Sequence, residues 1–388
     1  MAKAEANRFG LYAYEETGWN ETPSTPIMTE IPITGESLKH SKETVSDPTI
    51  RSDGNIDGHT EVGVSGGGDI NFVMRHTDYQ PLLSSAIRST PVIASETGAG
   101  TSNNFAFAVA GGGVQVITGP SGWTDDYTVG AWVRVALAAQ AANNGVFKVT
   151  AKNSTTLTVA NTAGVSESNS VAVITQKMTR NGVLLRSWLL EKRFLDISKF
   201  QNFRGMRVGG AQLQVQSKAQ VTGSISFLGA QGIPSATTIG NASSTAKSTD
   251  KVINASSNIG SLTEGGSAMG SFVKSLALNI NPNLRTQDII GSKFPGGIGA
   301  GSVAVEGTIE VYFEDIALMQ KEYDHTQTSF SFRLTDPAGK VMVVTLPALE
   351  LSDGSPIAGG KDSDVMMSYK LNCHYDPTTL CTVQFDFI

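Results

Sequence analysis

Gly68-Asp69-Ile70-Asn71-Phe72-Val73-Met74 and Gly307-Thr308-Ile309-Glu310-Val311-Tyr312-Phe313 stand 239 residues apart (307 minus 68). Each alternates polar and apolar residues. A period of two marks a strand with one buried face. Laid over each other, the apolar inward positions of the two stretches coincide. The same offset puts Val64 on Val303 and Gly58 on Gly297. A polar, Gly-rich loop precedes each strand, at 49–59 and 291–301. A short helix is expected after each, over 78–88 with Asp78 as N-cap, and over 315–323. Extended regions follow, 184–230 and 329–386. Each opens on an apolar-aromatic strand and runs on through Gly205-Met206-Arg207-Val208 or Gly339-Lys340-Val341-Met342. The order strand, helix, strands is written twice, and such repetition outweighs any local signal.

Working outward, Ala211-Gln212-Leu213-Gln214-Val215-Gln216 alternates apolar residues with Gln, and Val221 to Phe227 alternates likewise. Both read as strands, as do 303–305, 308–313, 340–346 and 383–388. Helical periodicity is scarce. Between Phe105 and Gln176 the first copy is interrupted by a compact stretch with strands at 131–135, 145–149 and 156–159 and a turn at Asn143-Asn144-Gly145. Insertions survive where they leave the surface. Residues 232–270, rich in Ser, Thr, Ala and Asn, are too long for an ordinary connection and predict a mobile or partner-ordered loop. The expected division is a discontinuous first module (1–104 and 177–231), an outward-facing inserted small β-domain (105–176), a long polar loop (232–270) and a second module (271–388). The fold class is all-β with short helices.

Composition agrees. Of 388 residues, 40% are hydrophobic, enough for real cores, while 16% are charged, few for a solvated monomer. The 41 Gly and abundant small polar residues favour many turns and a large buried contact surface. A net charge of −6 argues against a chain that grips nucleic acid, which needs Lys and Arg on phosphates. The charge is uneven. Residues 177–231 hold nine Lys/Arg and two Asp/Glu, net +7, whereas 306–388 hold five and thirteen, net −8. Opposite surfaces on one chain suit self-association, although uneven decoration alone also gives this pattern. Cys373 and Cys381 flank an Asp376-Pro377 turn that brings them near each other, and two cysteines make no disulfide framework. Free thiols are expected. No apolar signal core follows Met1, and no apolar run has transmembrane length, so a soluble chain made in the cytoplasm, with no membrane contact, is expected.

Little chemistry is encoded. Asp53-Gly54-Asn55-Ile56-Asp57-Gly58 matches the first half of a calcium loop, but the bidentate Glu six residues on is Val64. The stretch reads as a turn. Gly66-Gly67-Gly68, Gly111-Gly112-Gly113 and Gly296 to Gly301 lack G-K-[ST], and the first and last feed strands, whereas a phosphate cradle needs a helix N-terminus. His40, His59, His76, His325 and His374 show no metal-ligand spacing. The acid pairs Glu314-Asp315 and Asp362/Asp364 lie at strand ends or loops, and a glycosidase cleft would want aromatics to stack on, which are 7% here. No cofactor, metal or catalytic residue is expected.

A resemblance then emerges. Thr34-Gly35-Glu36-Ser37-Leu38, Ile50-Arg51-Ser52-Asp53, Val64 through Phe72 and Tyr79 to Ala86 resemble the opening of siphophage tail tube proteins. Glu191-Lys192-Arg193-Phe194, Phe203 to Val208 and Val221 to Gly229 look like that family's middle. Val129 to Val135 and Ala142 to Val149 are similar to an extra domain found in a subset of members. No single motif is diagnostic; the ordered set, over nearly the whole chain, carries the resemblance. It implies β-sandwich modules whose sheets join neighbours into a β-barrel channel, in rings stacked as a hollow tail tube for DNA ejection. It implies no enzyme. Single-module members form hexamers and duplicated ones trimers with pseudo-sixfold symmetry, so the repeat favours a trimer and leaves a hexamer open. The implied partners are further copies, the tape measure, tip and terminator proteins, and phage DNA passing without specific binding. The implied location is the virion tail, assembled in the host cytoplasm.

A wall that lets a polyanion slide must be neutral to acidic, because a basic one would hold phosphates. Asp69, Asn71, Glu310 and Glu314 are the lumen-wall candidates, with placement on the outer face as the alternative. The inserted domain is expected on the outside, for display or host-surface adhesion. A second functional reading is a secreted or surface β-sandwich binding carbohydrate or a host receptor. It wants aromatics such as Trp19 and Trp123 exposed in loops.

Overall fold

Alternation in the sequence becomes alternation of burial. In the strand His59–Val73, Ile70 and Phe72 are buried while Asp69 and Asn71 face out. In Ala304–Tyr312, Ile309 and Val311 are buried and Glu306 and Thr308 exposed. The match ends at the last position, where Met74 is buried but Phe313 is 37% exposed. Met74 donates its N–H to the Val221 carbonyl and accepts from the Ile253 N–H, so two other segments cover it. The computed structural model describes residues 3–21, 23–98, 104–241, 243–269 and 273–388. Gly270, the expected end of the polar stretch, lies outside them.

Both expected helices form, shorter than the sequence suggests: Gln80–Ala86 and Ala317–Tyr323. Asp78 does not cap the first. Its two oxygens accept from the Ser248 N–H and hydroxyl at 2.8 and 2.9 Å, so a distant segment takes the carboxylate that a local cap would have used. Asp315 does accept from the Ala317 N–H at 2.9 Å. Leu82, Leu83 and Ala86 point inward, and Tyr79 stacks on Phe72 at 3.9 Å between ring centres.

The chain divides into two compact units. The first takes residues up to Arg88, then Val183–Ala255 and Ser275–Ile309. One of its sheets is antiparallel throughout, in the order Lys39–Ser46, His59–Val73, Thr222–Gly229, Lys199–Gln216, Val273–Asn281. Another joins Thr29–Ile31, Phe9–Glu16, Ser187–Phe194, the N-terminal half of Lys199–Gln216, and Gln231–Ser235. Lys199–Gln216 serves both sheets because it turns at Gly205, whose φ of +62° suits glycine, and bulges between Val208 and Gly210.

The second unit takes Ser89–Gly182, Ser256–Lys274 and Glu310–Ile388. Its interrupting stretch runs Glu167–Ser170, Phe105–Ala110, Val114–Thr118, Thr156–Ala160, Gly145–Lys152, Trp132–Ala136, Val173–Arg180, Val92–Thr97 in ladder order. These strands share a core that includes Phe105, Ile117, Trp123, Tyr127, Val133 and Leu157. Val173–Arg180 also pairs with Gln384–Phe387, which ties the stretch to the C-terminal strands. Cys373 and Cys381 form no disulfide.

One connectivity occurs twice. Lys199–Gln216 pairs with the preceding strand Ser187–Phe194 on one edge and, end to end on the other, with the following strands Thr222–Gly229 and Gln231–Ser235. Val341–Ser352 likewise pairs with the preceding Thr328–Thr335, and with the following Val365–Cys373 and Gln384–Phe387. The helix-preceding strand joins the same place in each set. His59–Val73 pairs with Thr222–Gly229, and just past Ala304–Tyr312 the Phe313 N–H bonds to the Val365 carbonyl at 3.0 Å.

The polar stretch is not structureless. Gln231–Ser235 and Ile259–Glu264 are strands, and residues between them bond to the first unit through their backbones. Its Ser, Thr and Asn composition hid this, because edge pairing uses main-chain groups rather than side chains.

Asp386 is fully enclosed, and burial pushes its carboxyl up to about 7. Its oxygens accept from the Trp132 N–H at 3.0 Å and the Gln384 amide at 2.7 Å. The folded chain therefore keeps a proton that the unfolded chain loses near pH 4. Stability should fall as pH rises from about 4 to 7 and level off above that. Urea midpoints at pH 5, 6 and 8 should show this slope, and Asp386→Asn should flatten it.

Candidate functional site

The first unit's five-stranded sheet has one apolar face and one polar face. Ile70, Phe72, Ile225, Phe227, Leu213 and Leu278 fill the apolar side. On the other side, cross-strand register lines up Asp69 with Ser226, then Asn71 with Ser224, Gln212 and Asn279, then Val73 with Thr222, Gln214 and Ala277. Gln216 and Ser275 make the next row. Side chains directly opposite on an antiparallel pair share a face, which is why the alternating Gln of one strand meets the alternating Ser and Asn of its neighbours.

Among the described residues of these rows, Asp69 is the one ionised side chain. Gln212, Gln214, Gln216, Asn71 and Asn279 are exposed. Thr34, Asn71, Gln212, Gln214, Thr222 and Ser224 ring a shallow dish of about 320 Å³ over Gly223. The dish offers amides and hydroxyls, which exchange hydrogen bonds with water, and no cation to hold a phosphate. Positive charge enters one row beyond, in Lys39, Gly67, Leu228 and Arg207, where the Arg207 guanidinium donates to the Ile298 carbonyl.

The four sequence-selected residues fall in two places. Asp69 and Asn71 lie together on this polar face. Glu310, in the second unit, is half-buried and ion-paired with Lys274 at 3.0 Å. Glu314 is exposed beyond the end of its strand. The matching face of the second strand set is charged. Glu350 and Asn372 share a row, as do Ser352 and Lys370, with His325 on Glu350 at 3.2 Å and Asp353 on Lys370 at 3.5 Å. Gln212, Gln214, Ser224, Ser226 and Asn279 of the first set went unselected in the sequence. Their signal was the period of two itself, which marks a strand but does not say which strands lie side by side.

Other sequence motifs resolve into structure. Arg51 pairs with Asp53 at 2.6 Å and with Asp57, so the would-be calcium acids are already engaged by a guanidinium. Its guanidinium holds the Asp53 carboxyl below the usual range. No His, Cys, Asp or Glu cluster suited to a metal occurs among the described residues. Trp123 is 7% exposed, with its indole N–H on the Thr155 carbonyl at 2.9 Å, and Trp19 is half-buried with its N–H on Gly205 at 3.1 Å. Neither offers the open aromatic platform that glycan binding wants, because each ring fills packing space. Among the described residues, no helix is long and apolar enough to cross a membrane.

The exposed tips belong to hairpins. Lys39–Ser46 and His59–Val73 continue into a hairpin whose residues 42–60 are all exposed, with Ile50 at 97% and Ile56 at 66%. A second hairpin, Leu284–Gln287 with Gly297–Ala300, carries the exposed Ile289 and Ile290. The two are pinned together by the Val64 N–H on the Lys293 carbonyl at 2.8 Å and by Lys293 on Glu61 at 3.0 Å.

Comparison with known proteins bears on the whole chain. A family model described as phage tail tube protein matches residues 6–387. No curated protein matches.

Proposed function

This chain belongs to the phage tail tube protein family, and from that premise we propose how it builds and lines the tube. Its role is structural, in the virion tail. The single observation that carries the proposal is the run of polar rows on the first unit's sheet, from Asp69–Ser226 to Gln216–Ser275, in which Asp69 is the one ionised group among the described residues. We assign that face to the lumen wall, where Asp69, Asn71, Gln212 and Gln214 let DNA slide without binding. Glu310 and Glu314 are proposed for the corresponding wall of the second strand set.

The repeated connectivity supports a tube module carried twice. Rings are then trimers with pseudo-sixfold walls, stacked into a siphophage tube, and a hexamer is the competing arrangement. Rings bind one another, the tape measure inside, and the tip and terminator at the ends. The inserted domain faces outward, and no step of this role calls for catalysis. Negative-stain microscopy of the purified chain tests the assembly. Hollow tubes with threefold rings are expected, and dispersed monomers would overturn it.

The exposed hairpin tips are proposed as contacts between successive rings. Asp47 and Gly58 are joined by a backbone bond of 3.0 Å, so an Asn-Gly turn in place of 48–57 closes the hairpin without disturbing the sheet. Single rings without long tubes are expected by microscopy. Tubes of ordinary length would remove the tips from the interface.

A further inference from the structure

The strand Thr29–Ile31 pairs with Phe9–Glu16 on one edge. Its other edge is covered by a strap made of residues 236–241 and 243–249. Thr245 donates its N–H to the Met28 carbonyl at 2.8 Å and accepts from the Glu30 N–H at 2.9 Å, and the Asn241 N–H reaches the Pro26 carbonyl at 2.8 Å. The remaining anchors are polar. Ser248 sits on Asp78, Thr238 and Ile239 on Glu191 at 2.6 and 2.7 Å, and Lys247 on Glu30 at 3.4 Å.

Little apolar surface holds the strap down beyond the close approach of Gly240 to the fully buried Met28. Gly240 is buried, whereas Thr237, Thr238, Asn241, Ser243, Thr245, Ala246 and Lys247 are exposed. Its two ends are fixed. Before it comes the Gln231–Ser235 ladder, and after it Asp250, which accepts from the Thr77 N–H at 2.9 Å, and the fully buried Ile253. A segment held mainly by hydrogen bonds, with little buried apolar contact of its own, opens more readily than the body beneath it. Opening leaves a bare strand edge, which recruits another strand unless covered.

On the tube reading given above, we propose that this strap is exchanged on assembly: each copy's strap leaves its own Thr29–Ile31 edge and covers that of a neighbouring copy. The occupant follows from complementarity. The strap already fits this edge, so the same strap from a second copy makes the same bonds with no new surface. The reach suffices. At about 3.4 Å per extended residue, a strap of this length tied at both ends extends about 20 Å outward. The exchange links rings or neighbours by main-chain bonds that single chains satisfy internally, which keeps the edge covered until copies meet.

Thr29→Cys with Thr245→Cys places a cysteine pair across the bridged positions. Oxidised before assembly, the variant should run as an internally cross-linked monomer on a non-reducing gel and should no longer build tubes. Oxidised after assembly, it should give species of two or more chains. Tubes from the pre-oxidised monomer, or only internal cross-links in assembled tubes, would overturn the exchange. Should the reduced variant not fold, the unmodified chain carries the test. Tubes from mixed light and ¹⁵N-labelled chains, treated with a zero-length carbodiimide, should yield hybrid-isotope Lys247–Glu30 products, and single-isotope products alone would refute it. Unmodified chain that builds no tubes at all would instead strike the tube reading, so the two failures are distinct.

Discussion

Lysine at both Gln212 and Gln214 should leave tubes intact and slow DNA delivery about tenfold or more at low salt. Both side chains are exposed on the polar face, so the substitutions disturb no core and should shift stability by less than about 0.5 kcal/mol. Their effect is on passage. On the trimer reading each ring gains six cations, and the logarithm of phosphate affinity falls by about 5 per tenfold rise in salt for six contacts. DNA would dwell at every ring. Ejection rate from assembled particles, followed across salt concentrations, should recover steeply as salt rises. A variant that ejects like the unmodified phage at all salt concentrations would move this face out of the lumen. Gln212→Glu with Gln214→Glu, which adds charge of the other sign, should eject normally.

The second large effect is on folding. Gly68 has φ of +141°, and a Cβ there would stand 2.4 Å from the Ser37 carbonyl oxygen and 2.8 Å from the Leu38 Cα. These are backbone atoms, which cannot swing aside. Gly68→Val combines strained backbone with overpacking and should remove about 3 kcal/mol or more. Against a total stability of about 5–15 kcal/mol, most of the chain should become insoluble. Gly111→Ala is the comparison: nothing lies within 4 Å of its added Cβ, so yield and unfolding midpoint should barely move. Soluble yield and thermal unfolding of both variants check the contrast. A Gly68→Val chain that folds normally would show that the strand can move away from Ser37 and Leu38.

Different parts of this protein were legible to different degrees. Ile70, Phe72, Ile309 and Val311 announced their burial through spacing alone, because a strand's two faces are fixed by its backbone pleat. Met74 and Phe313 looked equivalent but are not. Burial at a strand's end depends on what segment arrives to cover it, here Val221 and Ile253, far off in sequence. Asp78 was an apt cap by local rules, and Ser248 claimed it from 170 residues away. Residues 232–270 read as loop because main-chain pairing leaves no side-chain signature.

Sequence by itself determined that the chain is a β-protein with a repeated strand-helix-strands order, an interrupting β-stretch, little basic charge and no catalytic motif. Those features are local in cause: pleat, turn chemistry and charge act over a few residues. Only the tertiary structure decided that Asn71, Ser224, Gln212 and Asn279 form one row of one face, with Asp69 its one ionised neighbour. Register between strands is set by packing of Ile70, Phe72, Ile225 and Leu213 beneath them, and a slip of one residue would turn every polar side chain inward. The polar face is thus a consequence of the core it covers.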